Sequence, residues 1–217
     1  MEVKKIKVGY LETNCYILEH ENNCIVVDPG DDAYLIEKQI GNHTLLGVLV
    51  THSHSDHVGA LGTIVKKYNV PVYDFHNLEE KKYVLGDFHF QVIQNPGHTK
   101  DSISFYFYEY NFMLVGDFIF KNTVGRTDLE GGDMSEMMNS IRKISTYSKQ
   151  IRLYPGHGET TTLKEEIENN YYFKKAFQNW KNSEKDWIKK WILLQCVRRL
   201  DYEKRRKKWN KWIIKTN

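Results

Sequence analysis

Cysteine is scarce in this chain, and its spacing argues against two kinds of site. The 217 residues contain three cysteines, Cys15, Cys24 and Cys196, and no two of them form a CxxC pair. Such scattered cysteines argue against both a disulfide framework and a cysteine-bound zinc site. We expect these thiols to be buried or incidental in a reducing compartment.

Long apolar segments are missing as well. No apolar run approaches the roughly 18 residues that a transmembrane helix needs. The N-terminal segment MEVKKIKVGYLETNCYI has neither the continuous apolar region nor the small-residue cleavage site of a secretory signal. A hydrophobic content of 41% and an aromatic content of 13% nevertheless suit a packed globular core. The sequence therefore predicts a cytoplasmic protein.

Charge is distributed unevenly along the chain. Residues 1–170 carry 16 Lys and Arg against 24 Asp and Glu, whereas residues 171–217 carry 15 against 4. All five tryptophans also lie in the second segment, between Trp180 and Trp212. This change in composition predicts two domains, one at 1–170 and a basic, Trp-rich helical extension at 171–217.

The pattern of apolar residues in the first segment indicates an α/β protein. Short β-leaning runs bounded by turn residues predict strands, and apolar residues at helical spacing predict amphipathic helices. The predicted strands are 14–18, 24–27, 45–50, 88–93, 102–108, 112–115 and 151–154, with 14–18 and 24–27 forming a hairpin. The predicted helices are 31–40, 57–68 and 134–147.

Histidines and aspartates follow the ends of four of these strands. THSHSDH (51–57) follows the strand 45–50, and NPGH, GD and YPGH follow the strands at 88–93, 112–115 and 151–154. If these strand ends share one rim of a sandwich, seven side chains would converge on loops held by a rigid scaffold. They are His52, His54, Asp56, His57, His98, Asp117 and His157.

Seven such groups exceed the needs of one metal ion. Imidazole nitrogens and carboxylate oxygens suit zinc, with iron and manganese as alternatives. Two ions sharing a bridging carboxylate would use all seven, and such a pair can generate a hydroxide nucleophile and polarise a substrate oxygen. A lone histidine is usually a surface or core residue, and this interpretation applies to His20, His43, His76 and His89.

These motifs resemble the metallo-β-lactamase superfamily. THSHSDH matches its THxHxDH motif, and NPGHT, VGDFIF and YPGHG match later motifs in the expected order. Within the superfamily the chain is most similar to the small glyoxalase II-like hydrolases, through TNCYIL, VVDPG, NPGHTKDSISFY, VGRTDLEGGD and YPGHGETTTLKEE. The resemblance covers about residues 2–170.

The resemblance implies an αββα four-layer sandwich and a two-ion site. His52, His54 and His98 would bind one ion, and Asp117 would bridge it to a second ion bound by Asp56, His57 and His157. The expected reaction is hydrolysis of a hydroxyacylglutathione thioester by a metal-bound hydroxide, with Asp56 and Asp117 in catalytic positions and Asp56 helping to handle the proton. The expected cofactors are two divalent ions, zinc first, and the partner is a small-molecule thioester.

The segment VGRTD departs from the pattern of the long glyoxalase II enzymes. It offers Arg126 near the expected anchor position for the substrate, but no tyrosine stands beside it. Arg126 could hold a substrate carboxylate in a bidentate fork. An equally weighted alternative is a structural pair with Asp128 or Asp133.

Residues 171–217 have no counterpart in the resemblance. Phe173, Phe177, Trp180, Trp187 and Trp191 recur at helical spacing, and EKRRKKWNKW is strongly basic. Packing within the chain or self-association is the first interpretation, because aromatic helical stripes usually belong to a core. Attachment to an anionic membrane surface and nucleic-acid binding are the alternatives.

Other functions stay open on the sequence alone. A mononuclear iron persulfide dioxygenase shares a GRTD-like segment, although PGHGE differs from the PGHDY-like end that we expect in that class. A metal-dependent nuclease or phosphodiesterase would need the basic extension to deliver its polyanion. A non-catalytic binding protein is disfavoured by the complete ligand set, and a secreted β-lactamase by the missing signal.

Overall fold

The described residues form two large β-sheets, and the first is built from the N-terminal part of the chain. The structure is a computed structural model that describes residues 1–178. Its first sheet has the order β1 (Glu2–Val8), β2 (Thr13–His20), β3 (Asn23–Val27), β4 (Thr44–Leu49) and β5 (Val72–Tyr73). β2 pairs antiparallel with β1 and β3, as the predicted hairpin requires, whereas β3, β4 and β5 run parallel.

The second sheet follows along the chain and is mainly antiparallel. Its order is β13 (Thr161–Thr162), β12 (Arg152–Pro155), β9 (Phe112–Gly116), β8 (Ile103–Phe107), β7 (Phe88–Gln94) and β6 (Lys82–Leu85). Only the pair of β12 and β9 within this sheet is parallel. β10 (Ile119–Phe120) and β11 (Thr123–Val124) form a separate two-stranded ribbon.

The two sheets face each other across an aromatic core, and helices cover their outer faces. Because side chains alternate along a strand, Tyr16 and Leu18 of β2 point to the inner core while Cys15 and Ile17 point outward. α1 (Ala33–Ile40) and α3 (Leu61–Tyr68) cover the first sheet, and α4 (Met134–Ile144) covers the second. The αββα sandwich predicted from the sequence is therefore confirmed.

The predicted helix 57–68 is wrong in one respect, because the chain forms two helices there. α2 (Ser55–Val58) ends before Gly59, and α3 begins at Leu61. The Ala60 amide donates to the Pro29 carbonyl at 2.9 Å, and a Cβ on Gly59 would lie 2.2 Å from the Gly30 carbonyl oxygen. Close packing of this bend against the loop after β3 interrupts the helix.

Several short elements were not anticipated. β1, β5, β6, β10, β11, β13 and α5 (Leu163–Asn169) carry weak or short apolar patterns. α5 nevertheless has a capping box, in which Thr162 and Glu165 exchange hydrogen bonds with each other's backbone amides. α4 ends at Ile144 rather than Tyr147.

The compact unit continues a few residues beyond 170. Residues 171–178 are helical, and Phe173 and Ala176 are buried in the core beneath α4. One compact unit spans Met1–Ala176. The predicted helical extension otherwise lies outside the described residues. None of the helices in residues 1–178 combines the length and hydrophobicity that crossing a bilayer requires.

Candidate metal centre

Loops at the ends of four strands bring the seven predicted ligands to one rim of the sandwich. The segment after β4 carries His52 and His54 and leads into α2, which holds Asp56 and His57. The turn between β7 and β8 carries His98. Asp117 follows β9, and His157 follows β12.

Three histidines form the first group. Nδ1 of His54 lies 3.1 Å from Nε2 of His52 and 2.9 Å from Nε2 of His98. Burial is the main cause that lowers the pKa of His52 well below its ordinary value, and it also lowers that of His54. Neutral imidazoles whose nitrogens converge in this way present lone pairs to a common point, which suits a cation.

The second group combines a carboxylate with two histidines. Oδ2 of Asp56 lies 3.1 Å from Nε2 of His157 and 3.7 Å from Nε2 of His57. The hydrogen bond with His157 is the main cause that holds the pKa of Asp56 well below its ordinary value, and the same bond raises the pKa of His157. His57 is fully buried, whereas Asp56 and His157 are partly exposed.

Asp117 stands between the two groups. Its Oδ1 lies 3.3 Å from Nε2 of His57, and its Oδ2 lies 3.6 Å from Nε2 of His98 and 3.5 Å from Nε2 of His157. Desolvation by burial works to raise the pKa of Asp117, but the surrounding histidines outweigh it and lower the pKa overall. One carboxylate thus reaches both sets of ligating atoms, as a bridging ligand must.

Two buried atoms at the centre fit a cation. Within the described part of the chain, Nε2 of His57 and Oδ1 of Asp117 are buried and have no hydrogen bond of acceptable geometry. Such groups are costly to bury unless something satisfies them. A Cβ on Gly156 would lie 2.2 Å from that Oδ1 and 2.5 Å from Cε1 of His57, so only glycine lets the loop approach this closely. The donor set and its geometry therefore fit a pair of metal ions.

A buried aspartate orients the histidines from behind. Asp28, at the end of β3, accepts hydrogen bonds from the Thr51 amide (2.8 Å), the Thr51 hydroxyl (2.7 Å) and Nδ1 of His57 (3.0 Å). Burial lowers the pKa of His57, but Asp28 and Asp117 together outweigh it and raise the value to about 10. A proton held there has to leave before Nε2 can bind a cation, so cation binding and proton release are coupled.

Backbone and hydroxyl oxygens hold the Nδ1 atoms of three other histidines. Nδ1 of His52 contacts the Thr51 hydroxyl at 3.1 Å, Nδ1 of His98 contacts the Arg126 carbonyl at 2.7 Å, and Nδ1 of His157 contacts the Leu11 carbonyl at 3.1 Å. Each contact leaves Nε2 directed at the centre and fixes the orientation of the ring.

The side chain of Arg126 is engaged with a neighbour. Nε and Nη2 both donate to the Asp128 carboxylate at 2.8 Å, and both side chains are largely exposed. This is the structural alternative considered for Arg126, although an exposed pair can open to receive a substrate. Its role as a substrate anchor stays a prediction.

Sequence reasoning missed the supporting residues rather than the ligand candidates. Asp28 was included only within the segment VVDPG and given no role, although an acidic residue directly after the apolar run Ile25–Val27 indicates a buried partner for its carboxylate. Thr13, whose hydroxyl donates to Oδ2 of Asp56 at 2.9 Å, gives no comparable signal.

Most of the histidines interpreted as structural lie away from the centre, with one exception. His20 packs near Phe88, and His43 and His89 lie close to Glu19 and Glu109. His76, however, borders an open cleft of about 600 Å³ beside His54. The cleft also carries one basic residue, Lys100, and two acidic residues, Asp101 and Glu130.

A superfamily model and several curated relatives match this chain. The model described as the metallo-beta-lactamase superfamily matches residues 8–81 and 77–157. A "Probable metallo-hydrolase YqgX" of Bacillus subtilis is 30% identical, covering 79% of this chain and 97% of the relative. "Hydroxyacylglutathione hydrolase GloC" of Haemophilus influenzae is 28% identical, covering 78% and 97%. A "Probable polyketide biosynthesis zinc-dependent hydrolase PksB" of B. subtilis is 31% identical, covering 79% and 87%.

Solved structures share the same fold. The BLEG-1 B3 metallo-beta-lactamase superposes with a TM-score of 0.76 at 29% identity, covering 79% of this chain and 99% of that structure. TTHA1623 in a di-iron-bound form gives a TM-score of 0.71 at 30% identity, covering 78% and 100%. The chain belongs to the metallo-beta-lactamase superfamily, and its relatives indicate a metal-dependent hydrolase.

Proposed function

We propose that this chain is a two-ion thioester hydrolase of the hydroxyacylglutathione hydrolase type. The observation that carries the proposal is the position of Asp117, which lies within 3.6 Å of ligating atoms from both groups. A bridged pair of sites favours a binuclear hydrolase over a mononuclear dioxygenase. The similarity to a hydroxyacylglutathione hydrolase covers 78% of this chain and 97% of that relative. This similarity supports a thioester as the substrate.

In this proposal His52, His54 and His98 hold one divalent ion, and Asp56, His57 and His157 hold the other. A bound pair of ions would lower the pKa of water and polarise a carbonyl oxygen. Zinc is the first choice, supported by the zinc-dependent relative, and iron is the alternative, supported by the di-iron structure.

The remaining work falls to side chains of the protein. Asp56 is the more exposed of the two carboxylates, and its lowered pKa keeps it anionic at neutral pH. As an anion it can accept a hydrogen bond from the attacking water and orient it, while the Thr13 hydroxyl holds its Oδ2 in place. Asp117 contacts three histidines from the two groups and keeps the groups close to each other.

The cleft beside His54 suits the carrier half of a thioester. Lys100 gives it a positive charge, Asp101 and Glu130 give it negative charges, and Leu129 adds an apolar wall. A thiol that carries both carboxylates and an ammonium group, as glutathione does, would find complementary charge there. Arg126, once released from Asp128, is a further candidate for a substrate carboxylate.

The direct test is hydrolysis of S-D-lactoylglutathione by metal-replete protein beside His54→Ala. We expect turnover well above background that disappears in the variant, because removing Nδ1 of His54 leaves the first group incomplete. His89→Ala is the matched control. His89 lies near the start of β7, whereas His98 follows the end of that strand, and Nδ1 of His89 contacts Glu109. This variant should retain full activity.

Two bound ions without turnover would contradict the thioesterase proposal. Assays with other acyl thioesters, lactones and phosphodiesters would then identify the substrate class. Oxygen uptake with glutathione persulfide by a protein that binds one iron would support the dioxygenase instead.

A further inference from the structure

Two turns of the chain share the sequence Pro-Gly-His and each delivers one histidine. The turn at 96–98 carries His98 of the first group, and the turn at 155–157 carries His157 of the second. Both histidines are thus supplied by loops, whose position depends on what holds the backbone nearby. In each turn the proline carbonyl oxygen accepts a hydrogen bond from a hydroxyl on another element.

The turn at 155–157 is held by the second strand. The Tyr16 hydroxyl donates to the Pro155 carbonyl at 2.6 Å, and Nδ2 of Asn14 donates to the same oxygen at 2.9 Å and to the Gly158 carbonyl at 3.1 Å. The backbone amide of Asn14 also donates to the Gly156 carbonyl at 2.7 Å. These contacts join residues about 140 positions apart in sequence and fix both sides of His157.

The turn at 96–98 has a different anchor. The Ser140 hydroxyl, on α4, donates to the Pro96 carbonyl at 2.7 Å, and the Asp133 amide donates to the Gly97 carbonyl at 2.8 Å. Among the hydrogen bonds of the described residues, neither Ser140 nor Tyr16 contacts the other turn. The two groups of ligands are therefore supported from different layers of the sandwich, the first sheet and the helix α4.

The environment of Asn14 indicates that its contact with the turn at 155–157 is specific and not a by-product of packing. Its side chain is fully buried, yet Oδ1 has no hydrogen-bond partner within the described part of the chain. A buried unsatisfied acceptor costs stability, by about 1–3 kcal/mol. An apolar residue would avoid that cost but would lose the two hydrogen bonds that Nδ2 donates to the loop.

We propose that Tyr16 and Asn14 are positioning residues for the second ion, and that Ser140 is the positioning residue for the first. This assignment rests on the two-ion site proposed above. It implies that the affinity of each ion can be weakened separately, by removing one hydroxyl that touches neither the ions nor their ligands. Tyr16→Phe keeps the ring, which packs edge-on against Tyr154 with centroids 5.5 Å apart.

The test measures cobalt and zinc binding to chelator-treated protein in two backgrounds. His54→Ala leaves the second group intact, and His157→Ala leaves the first group intact. We expect Tyr16→Phe to weaken the remaining site by about 10- to 100-fold in the His54→Ala background and to leave it unchanged in the His157→Ala background. Ser140→Ala should show the opposite pattern, so the two variants serve as controls for each other.

A general loss of structure would not give this crossed pattern. Equal weakening in both backgrounds, or no weakening in either, would overturn the assignment. Thermal unfolding of each variant monitors the fold, and Asn14→Ala replaces Tyr16→Phe if the latter does not fold. A wild-type chain that binds no ion would overturn the two-ion site and this assignment together. A two-ion protein without thioester turnover would overturn only the proposed reaction.

Discussion

At the scale of single residues, the proposed centre depends on side chains outside the set of candidate ligands. Asp28 gathers three hydrogen bonds, two of them from Thr51, and thereby fixes both ends of the segment from Thr51 to His57. Its carboxylate also offsets the charge on His57, which burial alone would suppress. Removing that charge should therefore affect binding of the second ion through His57.

Asp28→Asn tests this role with minimal change in shape. We expect the affinity of the second ion to fall by about 10- to 100-fold, because the amide is a weaker acceptor for Nδ1 of His57. Metal titration checks it, with thermal unfolding as the measure of the fold. Unchanged affinity would show that the carboxylate is dispensable.

Arg126 and Asp128 provide a second comparison between single residues. If Arg126 anchors a substrate carboxylate, Arg126→Ala should raise KM about 10-fold or more with little change in kcat, whereas Asp128→Asn should not raise KM. Asp128→Asn releases the guanidinium from its bidentate pair. Steady-state kinetics of the two variants test this prediction. Equal effects of both substitutions on KM would indicate that the pair is purely structural.

At the scale of elements, strand ends and tight loops set the spacing of the ligands. Glycine is required where the loop at 155–158 passes the buried carboxylate of Asp117. The same residue type is dispensable elsewhere, as in α3, where a Cβ on Gly62 would meet nothing within 4 Å. The chain therefore offers a matched pair of glycines.

Gly156→Ala should disrupt the centre, whereas Gly62→Ala should stabilise the protein. The new methyl group at 156 would collide with Asp117 and His57, so we expect loss of the second ion and of activity. At 62 the helix should gain up to about 1 kcal/mol. Metal content and urea unfolding measure both, and a fully loaded Gly156→Ala protein would contradict the prediction.

Cys24, which is buried between the first sheet and its helices, should lower the free energy of unfolding as the pH becomes alkaline. Burial raises the pKa of Cys24 from 9.0 to about 12. The neutral thiol therefore favours folding fully below pH 9, and this contribution is lost as the pH rises towards 12, by at most about 1.4 kcal/mol per pH unit.

Urea unfolding of wild type and Cys24→Ala between pH 8 and pH 11 isolates this contribution. The difference in the free energy of unfolding between the two proteins should shrink as the pH rises. Because other groups titrate equally in both proteins, a difference that stays constant would contradict the assignment to Cys24.

At the scale of the whole molecule, the catalytic unit takes in residues beyond the predicted boundary at 170. Phe173 and Ala176 belong to the core under α4, and Nη1 of Arg142 donates to the Ala176 carbonyl at 3.0 Å. The predicted extension should therefore contribute its first residues to the stability of the sandwich.

Two truncations test this boundary. A chain ending at residue 170 should lose about 3–5 kcal/mol relative to one ending at residue 178, because the first lacks the buried ring of Phe173. Urea unfolding compares them. Equal stabilities would instead favour the boundary at 170.

The sequence by itself determined most of the strands and helices and the set of candidate ligands, and its resemblance to the superfamily implied the αββα arrangement. Alternating apolar runs define strands locally, and THSHSDH concentrates its donors within seven residues, so both are visible without long-range contacts. The tertiary structure alone decided how the ligands are held. Asp28 meets His57, Tyr16 meets Pro155 and Ser140 meets Pro96 across sequence distances of 29, 139 and 44 residues. Side chains brought together by packing leave no local periodicity. For the same reason, the break at Gly59 could be located only once the neighbouring loop after β3 was in place.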